Sequence, residues 1–214
     1  MNYNIEIYKL VNYINTNNEF TFVKSNKCFY NNHLGAVLAD IILQAGVNYK
    51  SIVFPRVLNI YKSYPDAYSL EGLLNTLSLI EISSFLQWKN EVKLSRYSSL
   101  IDFMINNNLQ YSYELSDFLQ KKNNQEKFLN ISGIGNKTLD YFLKLMHVET
   151  IAVDRHIFNF LDKANVLYNN DYHIAKKIVE YTADIMSVSR RDIDFSIWNF
   201  MSNKNKQHIL ELDF

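Results

Sequence analysis

The stretch FLNISGIGNKTLDYFLKLM, residues 128–146, reads as a helix, a tight turn and a second helix. Beyond the turn, Leu139, Phe142, Leu143 and Met146 recur at three- and four-residue steps, the spacing of one helical face. The turn holds Gly133 and Gly135, two of only five glycines in 214 residues. Glycine permits positive φ and carries no Cβ, so another backbone or a phosphate can come close. Asn136, Lys137 and Thr138 then open the second helix. The first N–H groups of a helix have no partners within it and favour an anion beyond the turn. The pattern predicts an electropositive cradle for one phosphodiester; the plain alternative is a tight helix–helix connection with no ligand.

Lys137 sharpens the choice. A positive charge at a helix N-terminus opposes the macrodipole, which is expected to lower the lysine's pKa, and partial burial acts in the same direction. A neutral amine is a nucleophile and an ammonium is not. Acids are the usual residues at such a position, so a lysine there breaks the local rule, although a solvated surface lysine also fits. A carboxylate partner is available in TIAVDRHIFNFL, residues 150–161, where Asp154 follows an apolar extended run and precedes a helical one. By position Asp154 is an N-cap. A helix over 138–147 advances about 15 Å, and six extended residues can return about 20 Å, so Asp154 is able to come back beside Lys137.

Helical periodicity extends along most of the chain. Leu34, Val37, Leu38, Ile41, Ile42 and Ala45 form one stripe. Tyr97, Leu100, Ile101, Met104 and Ile105 form another, and Ile174, Ile178, Tyr181 and Ile185 a third. Polar breaks fall at 106–108, 121–126, 169–171 and from 203 onward. Pro55 and Pro65 are the only prolines, so hairpin punctuation is sparse and a mostly helical fold of nine to twelve short helices is expected. The first thirty residues are less regular: IEIYKL and FTFVK alternate enough for strands, while an early helix fits as well.

Composition narrows the function classes. At 48% hydrophobic and 14% aromatic, the chain can build a real core. Its single cysteine, Cys28, is too few for a disulfide framework, a four-thiolate zinc site or a cysteine-ligated iron–sulfur cluster. His147 and His156 do not make a metal set on their own, so no metal and no cofactor is expected. No apolar run approaches the ~18 residues that span a bilayer. The N-terminus lacks a basic-then-apolar leader, which points to a cytoplasmic protein with no membrane partner. The 22 basic and 22 acidic residues cancel, which speaks mildly against nucleic acid but leaves room for a local basic face.

The pair of segments G-I-G-N-K-T at 133–138 and V-D-R-H at 153–156 resembles the helix-hairpin-helix DNA glycosylase superfamily, the group that includes endonuclease III. Ser132 stands where that family usually has proline. The resemblance is strong over about residues 128–161 and extends more loosely over 34–200. It implies an all-α, two-lobed fold with its active site in the cleft between lobes. Residues 31–146 would form the central lobe, and 1–30 with 147–214 the second. The family's catalytic lysine falls on Lys137 and its catalytic aspartate on Asp154; members that carry the lysine both remove a base and cut the strand. Gly133, Ile134 and Gly135 would grip the DNA backbone through main-chain N–H groups, with His156 at a nearby phosphate.

Weaker similarities add residues. LADIILQAGVNYKS, residues 38–51, resembles the family's early helix and its glutamine-bearing loop, which suggests Gln44, Asn48 and Lys50 as DNA contacts. FLQWKNEVKLSRY, residues 85–97, places Trp88 and Lys89 where other members line the base groove. The D-x-x-I-W pattern ending at Trp198 resembles the compact archaeal-type 8-oxoguanine glycosylases, which lack the iron–sulfur cluster; it suggests Trp198 and Lys204 for the base pocket. The implied partner is double-stranded DNA carrying a damaged base or an abasic site, bound by a nucleoid-associated monomer. Oxidised purine is the first candidate substrate and oxidised pyrimidine the second. A helix-hairpin-helix module that only grips DNA is the reading from another class.

Overall fold

The structure, a computed structural model, describes residues 3–25 and 27–202, with helical backbone continuing to residue 211. In chain order the helices are α1 (Asn4–Thr16), α2 (Leu34–Leu43), α3 (Phe54–Ser63), α4 (Leu70–Leu79), α5 (Ile82–Phe85), α6 (Glu91–Asn106), α7 (Ser112–Phe118), α8 (Lys122–Leu129), α9 (Asn136–Leu145), α10 (Arg155–Lys163), α11 (Tyr172–Ile185) and α12 (Arg190–Glu211). A π-helical turn spans Tyr49–Val53 and a 3-10 turn Pro65–Tyr68. The regular secondary structure of the described residues is all helical, with no strand among them. They divide into two compact units: Lys27–His147, and Met1–Asn26 with Val148–Phe214.

The unit Lys27–His147 is organised around α2. Its ten residues are all buried, as expected of a helix apolar on every side but for Asp40. Around it pack α3, α4, α6 and α9. The helix starts where the His33 ring accepts the Ala36 N–H at Nδ1 (3.1 Å) and its other nitrogen meets the Tyr64 carbonyl oxygen (3.0 Å). A neutral imidazole supplies both roles, one nitrogen accepting and the other donating. The stripe expected from Tyr97 to Ile105 faces the core through Tyr97, Leu100, Ile101 and Met104, while Ile105 is exposed.

In the other unit α1, α10, α11 and α12 share one core, with Ile7, Leu10, Phe160, Ile178, Val179, Ile193 and Ile197 buried together. IEIYKL lies within α1, where Ile7, Leu10 and Ile14 face inward. FTFVK forms no strand. Phe20 inserts between Phe160 and Phe200, with ring centroids 5.3 and 5.6 Å away. The following backbone donates not to a ladder but to α12 side chains: Val23 N–H to Ser196 Oγ (2.9 Å) and Ser25 N–H to Asp192 Oδ1 (2.8 Å). The segment's alternation therefore reports an extended chain without a sheet. The stripe expected on α11 is also rotated. Ala175, Ile178, Val179, Thr182 and Ala183 face the core, while Tyr181 and Ile185 are exposed. Small residues on the packed face let α1 and α12 lie close against α11.

Few glycines do not mean few helix stops. After α6 the N–H of Asn108, at φ 53°, bonds to the Ile105 carbonyl, and the N–H of Leu109 to that of Met104. This is the Schellman arrangement, with asparagine in the usual glycine position. Asn165 does the same after α10 (φ 53°), Ser187 after α11 (φ 55°) and Gln87 after α5 (φ 49°).

Candidate active site

The hairpin joins α8 to α9. Gly133 has φ +80°, a left-handed conformation that favours glycine, and a Cβ there would overlap the Arg96 guanidinium. Gly135 caps α9 in an extended conformation open to any residue, and a Cβ added to it would meet nothing within 4 Å. Its lack of a side chain is therefore not required by packing inside the chain. The Ile134 N–H donates to the Ile131 carbonyl (3.0 Å) and its side chain is buried, so this residue closes the turn. Of the three residues expected to grip DNA through their N–H groups, Ile134 thus has its own bonded within the turn. Those of Gly133 and Gly135 have no acceptor among the described residues, and both glycines are exposed. Thr138 and Leu139 N–H both return to the Gly135 carbonyl (2.9 and 3.1 Å). Lys137 is the second residue of α9, and half-buried.

One face of α6 links the hairpin to the Gln44 loop. Lys93 Nζ donates to the carbonyls of Leu43 (2.7 Å) and Ala45 (2.8 Å), closing the C-terminal end of α2, which Gln44 caps. Cations are favoured at that end by the helix dipole. Burial lowers the Lys93 pKa, and nearby Arg96 lowers it further. Two cations lie over the Trp88 ring, Lys93 Nζ at 4.7 Å and Arg56 Cζ at 5.3 Å from its centroid. Arg56 in turn donates to the Gln87 carbonyl (3.0 Å), fixing the turn before Trp88. Trp88 is half-buried, and its indole N–H has no acceptor among the described residues. Gln44 and Trp88 are thus brought to one neighbourhood. Asn48 is exposed and caps the π-helical turn through the Ser51 N–H (3.1 Å); Lys50 and Lys89 are exposed.

A cluster that the sequence reading missed lies inside the same unit. Asp40, fully buried on α2, accepts the hydroxyls of Tyr30, Tyr49 (3.0 Å) and Tyr141 (3.2 Å). Burial raises its pKa to about 6, against the opposing pull of the three phenols and of Lys144. The Tyr30 and Tyr49 phenols are pushed up, by burial first and by the carboxylate second. On α9, Tyr141 is about one turn beyond Lys137, and on α2, Asp40 is about one turn before Gln44. The Asp40–Tyr141 bond therefore ties together the two helices that carry these residues. The available signal was a lone acid in the apolar run LGAVLADIILQ, residues 34–44.

In the other unit Asp154 caps α10, its Oδ1 accepting the N–H groups of His156 (2.8 Å) and Ile157 (3.2 Å). Its Oδ2 has no hydrogen bond among the described residues. The run into Asp154 is held by α12, where the buried Asp194 carboxylate accepts the Ala152 N–H (2.9 Å). Asp194 is the aspartate of D-x-x-I-W, a positioning role its motif did not disclose. The His156 ring is buried and meets Trp198 edge-on at 6.4 Å, and Trp198 stacks on Phe195 at 6.0 Å. Asp154, His156 and Trp198 are thus assembled in one unit. Lys204 lies outside the described residues. Among those residues no group of three His, Cys, Asp or Glu side chains is placed to hold a metal ion, and no helix is long and apolar enough to cross a membrane.

Among solved structures, the chain is similar to the H. pylori 3-methyladenine DNA glycosylase (MagIII) bound to 1,N6-ethenoadenine, at 19% identity and a TM-score of 0.48, over 95% of this chain and 98% of that one. No curated protein matches the sequence. A family model described as a domain of unknown function, DUF8548, matches residues 86–202, a span that takes in the hairpin, Lys137, Asp154 and Trp198. That span exceeds half of the 214 residues, and the chain belongs to the DUF8548 family.

Proposed function

We propose that the protein is a base-excision DNA N-glycosylase with AP-lyase activity, acting on oxidised bases in double-stranded DNA. The observation that carries this reading is local: a glycine turn exposes two N–H groups without acceptors among the described residues, and the next turn of backbone presents a half-buried lysine. The turn suits a phosphodiester, and phosphate contacts set register rather than sequence. Extruding the target nucleotide costs a few kcal/mol, least for a damaged base. The Lys137 amine, once it has given up its proton, then attacks C1′ of the sugar. The C1′–N bond breaks, and its electrons leave with the base, which takes up a proton. Loss of the amine proton and ring opening give an imine between Lys137 and C1′. Removal of a C2′ proton expels the 3′ phosphate, cutting the strand by β-elimination. Asp154 supplies the carboxylate that steers these protons and stabilises positive charge on the sugar.

Oxidised purine, with 8-oxoguanine first, follows from the similarity of D-x-x-I-W; oxidised pyrimidine is the second candidate. The deciding experiment mixes the protein with abasic-site duplex and borohydride, which reduces an imine to a stable amine. A covalent adduct with the wild type that disappears in Lys137→Gln is expected. If the wild type binds duplex in a salt-dependent way but never traps, the lyase step is wrong; if it also releases no base from a lesion duplex, the chain is a gripping module. Incision assays on duplexes with single oxidised-purine, oxidised-pyrimidine or alkylated-purine lesions then assign the substrate.

A further inference from the structure

We infer that Arg96 is a phosphate ligand, the side-chain half of a clamp whose main-chain half is the Gly133–Gly135 turn. The inference rests on the DNA-binding reading above and assigns it a residue that the hairpin motif does not contain.

Two cations on α6, Lys93 and Arg96, stand three residues apart and so share a face. Their situations differ. The Lys93 ammonium is spent on the carbonyls of Leu43 and Ala45. Arg96 has no carboxylate and no hydrogen-bond acceptor among the described residues, and it is close enough to Lys93, of the same sign, to disfavour that ammonium. A guanidinium carries five donors in a rigid fork that matches two oxygens of a phosphate or carboxylate. Half-buried beside a like charge, with no protein acceptor among the described residues, the fork is available to an incoming anion.

Its position identifies the anion. Nε, Cζ and Nη2 occupy the space that a Cβ on Gly133 would fill, so the guanidinium lies directly against the turn. Gly133 is glycine for two reasons at once: its φ of +80° and the side chain seated against it. The Gly133 N–H, which has no acceptor among the described residues, therefore neighbours a fork that has none among them either, and the Gly135 N–H follows two residues on. Open space at Gly135 leaves room for the incoming group. A phosphodiester supplies two non-bridging oxygens and one negative charge, which suits a fork on one side and peptide N–H groups on the other.

The test measures the affinity of the full chain for undamaged duplex across a salt series, with thermal melting of each variant as control. Arg96→Gln is expected to reduce the slope of log K against log salt by about 0.9, the loss of one phosphate contact. Affinity at low salt should fall about tenfold. Arg96→Lys keeps the charge and loses the fork, so its slope should stay near that of the wild type while affinity drops several-fold. A slope unchanged in Arg96→Gln overturns the inference whatever the melting temperature does, because the guanidinium would then only brace the turn. Should Arg96→Gln fail to fold, Arg96→Lys decides alone: wild-type affinity overturns the inference. Borohydride trapping that persists with an unchanged slope removes only this assignment. Absence of any salt-dependent binding by the wild type removes both this assignment and the function it rests on.

Discussion

Replacing Asp40 with asparagine should stabilise the protein at neutral pH and leave it unaffected in acid. The carboxyl is fully buried, and its pKa rises from 3.8 in the unfolded chain to about 6 in the fold. Between those values the folded state holds the proton more tightly than the unfolded state. Stability attributable to Asp40 is therefore complete below about pH 4, declines as pH rises through 4 to 6, and is lost above that. At about 1.4 kcal/mol for each tenfold change in proton affinity, the loss amounts to about 3 kcal/mol. An amide mimics the neutral acid: its oxygen can accept from Tyr30 and Tyr49 while its NH2 group donates to the Tyr141 oxygen. Urea unfolding of wild type and Asp40→Asn at unit steps from pH 4 to pH 8 isolates the effect, since other titrating groups cancel in the difference. The variant's advantage should grow from near zero at pH 4 to about 3 kcal/mol by pH 7. A difference that stays flat with pH, or a variant less stable throughout, would falsify the argument that a buried, proton-hungry acid sits at the centre of this unit.

Two further outcomes follow from the geometry of the caps. Asp154→Ala removes the acceptor of the His156 and Ile157 N–H groups, so it should cost about 1 kcal/mol in thermal unfolding and abolish strand cleavage at an abasic site. Asp154→Asn retains an acceptor and should melt like the wild type while still losing cleavage; full activity in this variant would remove the carboxylate from the mechanism. Lys93→Met deletes the donor shared by the Leu43 and Ala45 carbonyls, and hydrogen exchange over residues 44–49 should accelerate several-fold. Unchanged exchange there would mean that the ammonium does not hold the Gln44 loop.

The parts of the site legible in the sequence are those set by near neighbours. The turn at 133–135 and the cap at Asp154 are written within four or five residues, as glycine torsional freedom and a short acceptor before an apolar run. What escaped detection depends on distant partners. Asp40 could be seen as an acid out of place, but its phenols come from positions 30, 49 and 141. Arg96 lies 37 residues before the glycine it covers, and no periodicity announces such a contact. FTFVK was misleading because alternation marks an extended backbone whether or not a neighbouring strand exists to receive its N–H groups. On α11 the large side chains suggested one face, while the close packing of α1 selected another made of alanines and β-branched residues.

The helix stops at Gln87, Asn108, Asn165 and Ser187 carry a cost with two opposite signs. Each side chain held at positive φ retains torsional strain that glycine would relieve, less for asparagine than for most. Each also leaves the unfolded chain with fewer conformations to lose than glycine would. A molecule so poor in glycine therefore begins folding from a stiffer random chain and ends with small springs compressed at the tips of its helices. Its net stability depends on how nearly those two quantities cancel.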